Sequence, residues 1–182
     1  MSEIADRYRR LATGFAARIA TVPDDAWDNP SPCEGWAARD VAWHVIETPT
    51  MFFGFIGEES PPPSRDAAIP TAYAEVRERL QGALDDPERA DAEFDGFFGR
   101  TTFAEAVDRF ICFDLVVHGW DLARATGTDE RIDPAELQRL AEVDIPFFGD
   151  SLRAPTAFGP AVDPPDGADA QARLLSYLGR RV

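Results

Sequence analysis

One stretch, Asp114-Leu-Val-Val-His118-Gly-Trp-Asp121-Leu-Ala-Arg124-Ala-Thr-Gly127, constrains this chain more than any other. It predicts the last three turns of an apolar helix, stopped by Gly127. Where hydrocarbon is expected, Asp114 and His118 share one helix face, their Cβ atoms about 6 Å apart. The chain has two histidines in all, and His44 falls in the same setting on another predicted helix. The expectation is that the two helices meet at a divalent metal ion.

The rest of the chain reads as helices. Ile4, Tyr8, Leu11, Phe15, Ile19 and Val22 recur at helical spacing and predict a helix over about 3–21. A second helix starts near Ala37, with Asp40 facing the positive end of the helix dipole, and Pro49 is expected to kink or interrupt it. Pro70 opens a third, whose stripe is Tyr73, Val76, Leu80 and Leu84. Phe94, Phe97 and Phe98, punctuated by Gly96 and Gly99, suit a hairpin or an irregular lid. Thr102 and Glu105 form a capping box for a helix over about 103–126. Asp133-Pro134 starts a fifth helix that runs to about Val143, and a short one covers Asp169–Leu178, with the proline-rich segment Pro155–Pro165 between them. With no persuasive strand alternation, the class is all-α, a bundle with appendages.

Composition narrows the partners. At 182 residues and 45% hydrophobic, one domain with a real core is expected. A formal net charge of −15 disfavours nucleic acid. No apolar leader and no membrane-length apolar run is present, so a cytoplasmic protein without membrane association is expected. Cys33 and Cys112 are too few for a disulfide scaffold and suit a reducing compartment, although one bridge between them is compatible with the sequence. A monomer and a homodimer are both compatible with it as well.

If a metal is bound, the donor count is informative. Two histidines rule out a three-histidine site. The expected set is His44, His118 and one carboxylate, with Asp114 ahead of Asp121 and Glu47. Three protein ligands leave a position open to water or substrate, the pattern of catalytic zinc; nickel and iron(II) also suit such a set. Asp121 and Glu47, each three residues from a histidine, are expected behind the ligands. Arg124 either pairs with Asp121 or holds an anionic substrate. The plain alternative is a buried Asp–His hydrogen bond with no metal. Cys33 precedes His44 by 11 residues, about 16 Å along a helix, so it coordinates directly only if the chain folds back. Otherwise it reads as a small loop anchor. Cys112 reads as core, and Trp36, Trp43 and Trp120 as packing residues able to line a pocket.

Pro32-Cys33-Glu-Gly-Trp36, Arg39-Asp40-Val-Ala-Trp-His44, the opening stretch, Phe158-Gly-Pro160 and Arg173-Leu-Leu-Ser-Tyr-Leu-Gly179 together resemble an actinobacterial metal-binding family. It is related to the metal-binding N-terminal domain of mycothiol-dependent maleylpyruvate isomerase and, more distantly, to DinB-like proteins. The resemblance implies a DinB-like four-helix bundle over about 3–127, with a hairpin insertion, and a helical extension over about 128–182. It implies a metal held by His44, Asp114 and His118. Two departures stand out: Asp114 replaces the isomerase's glutamate, and the chain has no room for the isomerase's further C-terminal domain. The implied activity is mycothiol-dependent transfer or isomerisation of a small electrophile. The alternative is a non-catalytic metal- or ligand-binding protein.

Overall fold

The predicted periodicities become four long helices that enclose one core. The computed structural model describes residues 2–153 and 158–182, so the proline-rich segment up to Ala157 lies partly outside the described residues. Helix α1 spans Glu3–Thr21, α2 Ala38–Phe55, α3 Ile69–Asp85 and α6 Cys112–Thr126. Around the bundle α1 packs on α3, α3 on α2, α2 on α6 and α6 on α1. Tyr8, Phe15 and Ile19 of α1 meet Val41, Val45 and Ile46 of α2, Tyr73, Val76 and Leu80 of α3, and Leu115 and Leu122 of α6. This is an all-α helical bundle.

The helix ends follow local chemistry. Ser2 caps α1 by accepting from the Ala5 backbone N–H. Ala37 has no side-chain cap to offer α2, but its own backbone N–H donates to Asp40 at 2.9 Å. Pro49 does not interrupt α2, which continues through Phe55. The proline is buried in the bundle, and Thr50 turns its hydroxyl onto the Glu47 carbonyl at 2.7 Å in the turn whose amide ladder it weakens. Tertiary packing thus overrides the local preference.

A short α4 (Pro87–Ala90) leads to a two-stranded antiparallel hairpin, β1 (Glu93–Gly96) and β2 (Gly99–Thr102), with Phe97 and Phe98 at its tip. The capping box of Thr102 and Glu105 then opens α5 (Phe103–Ala106). Residues 103–126 are helical throughout, but a π-helical turn at Val107–Ile111 separates α5 from α6. The Asp108 carbonyl inside that turn accepts from the Arg7 guanidinium at 3.0 Å. Gly127, at φ +68, ends α6 as its position predicts.

Helix α6 is buried all round, not on one stripe. Its opposite face, with Phe113, Val116 and Val117, forms a second apolar cluster with Leu140, Phe148, Leu152, Leu174 and Leu178. Those residues come from a π-helical turn Leu140–Asp144, α8 (Ile145–Phe148), a 3-10 turn Gly149–Arg153 and α9 (Ala170–Tyr177) with the residue after it, and Leu137 of α7 (Pro134–Arg139) packs against them. Helix therefore extends beyond Val143, because Ile145 and Phe148 still have α6 and its neighbours to pack on. An ion network joins α7 to α1. Arg7 pairs with Asp108 and Glu136 at 2.7 Å each, and Arg139 contacts Asp108 and approaches Asp144. Among the described residues, no helix is long and apolar enough to cross a membrane.

Candidate metal centre

Helices α2 and α6 bring His44, Asp114 and His118 together at one end of their contact. His44 Nε2 lies 3.3 Å from Asp114 Oδ2, and His118 Nε2 lies 3.9 Å from Asp114 Oδ1. One donor atom from each of the three residues falls within 4.8 Å of the others. A tetrahedral zinc with bonds of about 2.0–2.1 Å needs donors about 3.4 Å apart, so small movements would complete the set. The one-methylene-shorter Asp114 reaches both histidines.

The histidines are oriented from behind. Asp121 Oδ2 lies 2.9 Å from His118 Nδ1, which assigns the proton to Nδ1 and leaves a lone pair on Nε2. That lone pair faces Asp114 Oδ1, another acceptor. Two acceptors 3.9 Å apart on the cavity wall leave room for a bridging donor or a metal ion between them. For His44, Nδ1 lies 3.3 Å from the Thr48 hydroxyl. The Trp36 indole packs against both imidazoles, with ring centroids 5.1 and 6.1 Å away.

Asp121 is fully buried and is held by a residue absent from the sequence-based expectations. Arg180 donates to it through Nε at 3.2 Å and Nη2 at 2.8 Å. Burial alone would raise the Asp121 carboxyl, but the His118 hydrogen bond and the Arg180 charge hold it down at about 2. No periodicity or motif pointed to Arg180, which lies just past α9. The one available signal was a basic residue directly following Gly179 in a strongly acidic chain.

Cys33 also reaches the site. The 30–37 segment doubles back, with Pro30 bridged to Ala37 and the Ser31 amide donating to the Trp36 carbonyl at 2.8 Å. This puts Cys33 Sγ 3.3 Å from Asp121 Oδ2 and 4.0 Å from His118 Nδ1. Burial first, then the Asp121 charge, push its thiol up to about 12. It therefore stands as an S–H donor to Asp121. Cys33, His118 and Asp121 form a second donor cluster, but the Arg180 guanidinium, 3.5 Å from Cys33 Sγ, already supplies its positive charge. Cys33 and Cys112 are both free thiols, and Cys112 is buried core.

Two expected residues are engaged elsewhere. Glu47 gives both oxygens to Arg65 at 2.7 Å. Arg124 pairs with Glu130 at 3.2 Å and lies over Trp120, at the edge of the cavity that opens from His44, Asp114 and His118. Trp36 lines that cavity, while Trp43 and Trp120 are core.

A helical bundle with a two-histidine, one-carboxylate cluster facing a cleft defines a class: DinB-like proteins with a candidate metal centre. The model of the mycothiol maleylpyruvate isomerase N-terminal domain matches residues 8–123, and the chain belongs to that family. The chain is 26% identical over 177 residues to two uncharacterised proteins of Mycobacterium tuberculosis, one from strain CDC 1551 / Oshkosh and one from strain ATCC 25618 / H37Rv, covering 96% of this chain and 96% of each relative. No solved structure matches it.

Proposed function

We propose that the chain binds one divalent metal ion, zinc in the first instance, through His44, Asp114 and His118, and brings a small-molecule thiol to an electrophilic substrate. Mycothiol is the first thiol to test, by family membership. The observation that carries the metal reading is the pair of facing acceptors, His118 Nε2 and Asp114 Oδ1, with the His118 Nδ1 proton already committed to Asp121. A bound ion would act as a Lewis acid that lowers the pKa of a thiol at the open position.

The chain's own residues do the rest. Asp121 keeps the His118 ring in one tautomer and orientation, and Arg180 keeps Asp121 ionised. Trp36 shields one side of both imidazoles from water. The cavity beyond them holds about 1990 Å³, roughly twice the upper end of an ordinary ligand pocket, which leaves room for a thiol and a second substrate together.

Metal analysis of protein purified without added metal is the test, set beside the His44→Ala/His118→Ala double variant. About one equivalent in the wild type and loss in the variant is expected; equal metal content in both overturns the assignment. Turnover of an electrophile that requires both metal and thiol is expected next. Metal binding without thiol-dependent turnover across several electrophiles would favour a non-catalytic binding protein.

A further inference from the structure

We propose that the cleft takes an amphiphilic organic anion, its aromatic or apolar body against a wall of phenylalanines and its acidic group at Arg109. This deepens the proposed function by giving the second substrate a chemical class, and it rests on that reading only for the ligand's reacting end. The wall is continuous. Phe98 at the hairpin tip lies 4.8 Å from Phe147 and 6.0 Å from Phe110, between ring centroids. Phe110 lies 5.3 Å from Phe148, Phe148 5.1 Å from Phe113, and Phe113 5.5 Å from Phe158. All six line the same cavity as His44, Asp114 and His118. Phe113 directly precedes Asp114, so the wall begins at the metal donors and ends at the hairpin.

Arg109 stands at the far end, its guanidinium 4.2 Å above the Phe147 ring. It is half-buried and lines the cavity, and it makes neither an ion pair nor a hydrogen bond among the described residues. That is unusual in a chain of formal charge −15. Arg7 and Arg180, by contrast, are each spent on buried carboxylates. The neighbouring acids are taken: Asp108 pairs with Arg7 and Arg139, and Glu105, one turn back, accepts from the Thr101 hydroxyl and the Thr102 amide. A half-buried guanidinium with five N–H donors to offer, seated on an aromatic face, suits a carboxylate, sulfonate or phosphate joined to an apolar body. A neutral hydrocarbon would leave those donors unused, and a small dianion would leave the phenylalanine wall uncovered.

The test uses 8-anilinonaphthalene-1-sulfonate as an anionic aryl probe and N-phenyl-1-naphthylamine as a neutral one, titrated by fluorescence into full-length protein. Both should bind the wild type. Arg109→Gln should weaken the sulfonate at least tenfold and the neutral probe less than twofold. Arg109→Lys should keep most of the sulfonate affinity, which also verifies that the position tolerates substitution. Phe98→Ser should weaken both probes. Sulfonate affinity unchanged in Arg109→Gln, or no sulfonate binding to the wild type, overturns the proposal. The metal reading is scored separately by metal content. The Arg109 effect should persist in His44→Ala/His118→Ala protein, whose metal is expected to be lost.

Discussion

Arg180 clamps Asp121 across 59 residues of chain, one guanidinium edge on both carboxylate oxygens at 3.2 and 2.8 Å. The pair is buried, and it fixes the carboxylate that orients His118. A residue beyond the last helix is thereby linked, through Asp121, to His118 in the cluster between α2 and α6.

Removing the clamp should reach the metal. Arg180→Gln should lower zinc affinity by about 10–100-fold, the usual effect of losing a partner behind a metal-binding histidine. It should also cost up to about 3–5 kcal/mol of stability, because buried Asp121 loses its cationic partner and keeps only its hydrogen bonds from His118 and Cys33. Competition against a chromophoric chelator and denaturant unfolding measure the two effects. Zinc affinity equal to that of the wild type would remove Arg180 from the metal centre.

Gly179 should be sensitive for the same reason. It has φ +81, and an added Cβ would meet the Pro160 carbonyl at 3.1 Å. Gly179→Ala should cost about 1–2 kcal/mol from the left-handed backbone alone, and it should displace the neighbouring Arg180. A fall in both Tm and zinc affinity is expected. A fall in Tm alone would mean that Arg180 keeps its place.

Chelation should destabilise the metal-loaded protein. Zinc at a thousand times its dissociation constant adds about 4 kcal/mol to folding, which at this size corresponds to a rise in Tm on the order of 10 °C. Calorimetry with and without a strong chelator measures the difference, and the His44→Ala/His118→Ala variant should show none.

Asp144 gives a pH dependence away from the candidate metal centre. Burial outweighs the nearby Arg139 and Arg7 and raises its carboxyl from the ordinary 3.8 to about 6, and its Oδ2 has no hydrogen-bond partner among the described residues. The folded chain therefore binds this proton more tightly than the unfolded chain. The resulting stabilisation is full below about pH 4 and is lost as the pH rises through about 6. Asp144→Asn should then gain on the wild type as the pH rises, by on the order of 2 kcal/mol at pH 7.5 relative to pH 4. A stability difference that stays flat between pH 4 and 7.5 would show that Arg139 and Arg7 neutralise the carboxylate fully.

Local chemistry made most of the fold legible. The stripes of α1 and α3, the Thr102–Glu105 capping box and the Gly127 stop each depend on residues a few positions apart, and each stands where its pattern predicts. The same reasoning failed at Pro49, where burial against the bundle keeps a helix going that local preference would break. It also missed the second buried face of α6, because apolar residues on every side of that helix leave no single stripe to show how many partners it has.

For the site, the sequence by itself determined the composition of the donor cluster: two histidines in all, one of them four residues from an aspartate on an apolar helix. Tertiary structure alone decided what stands around it. The doubled-back 30–37 segment brings in Cys33, the chain end brings in Arg180, and Arg65 draws Glu47 away. Helical spacing carries information over one or two turns. Contacts such as Asp121 to Arg180 depend on how separate elements pack, and no short-range pattern encodes that.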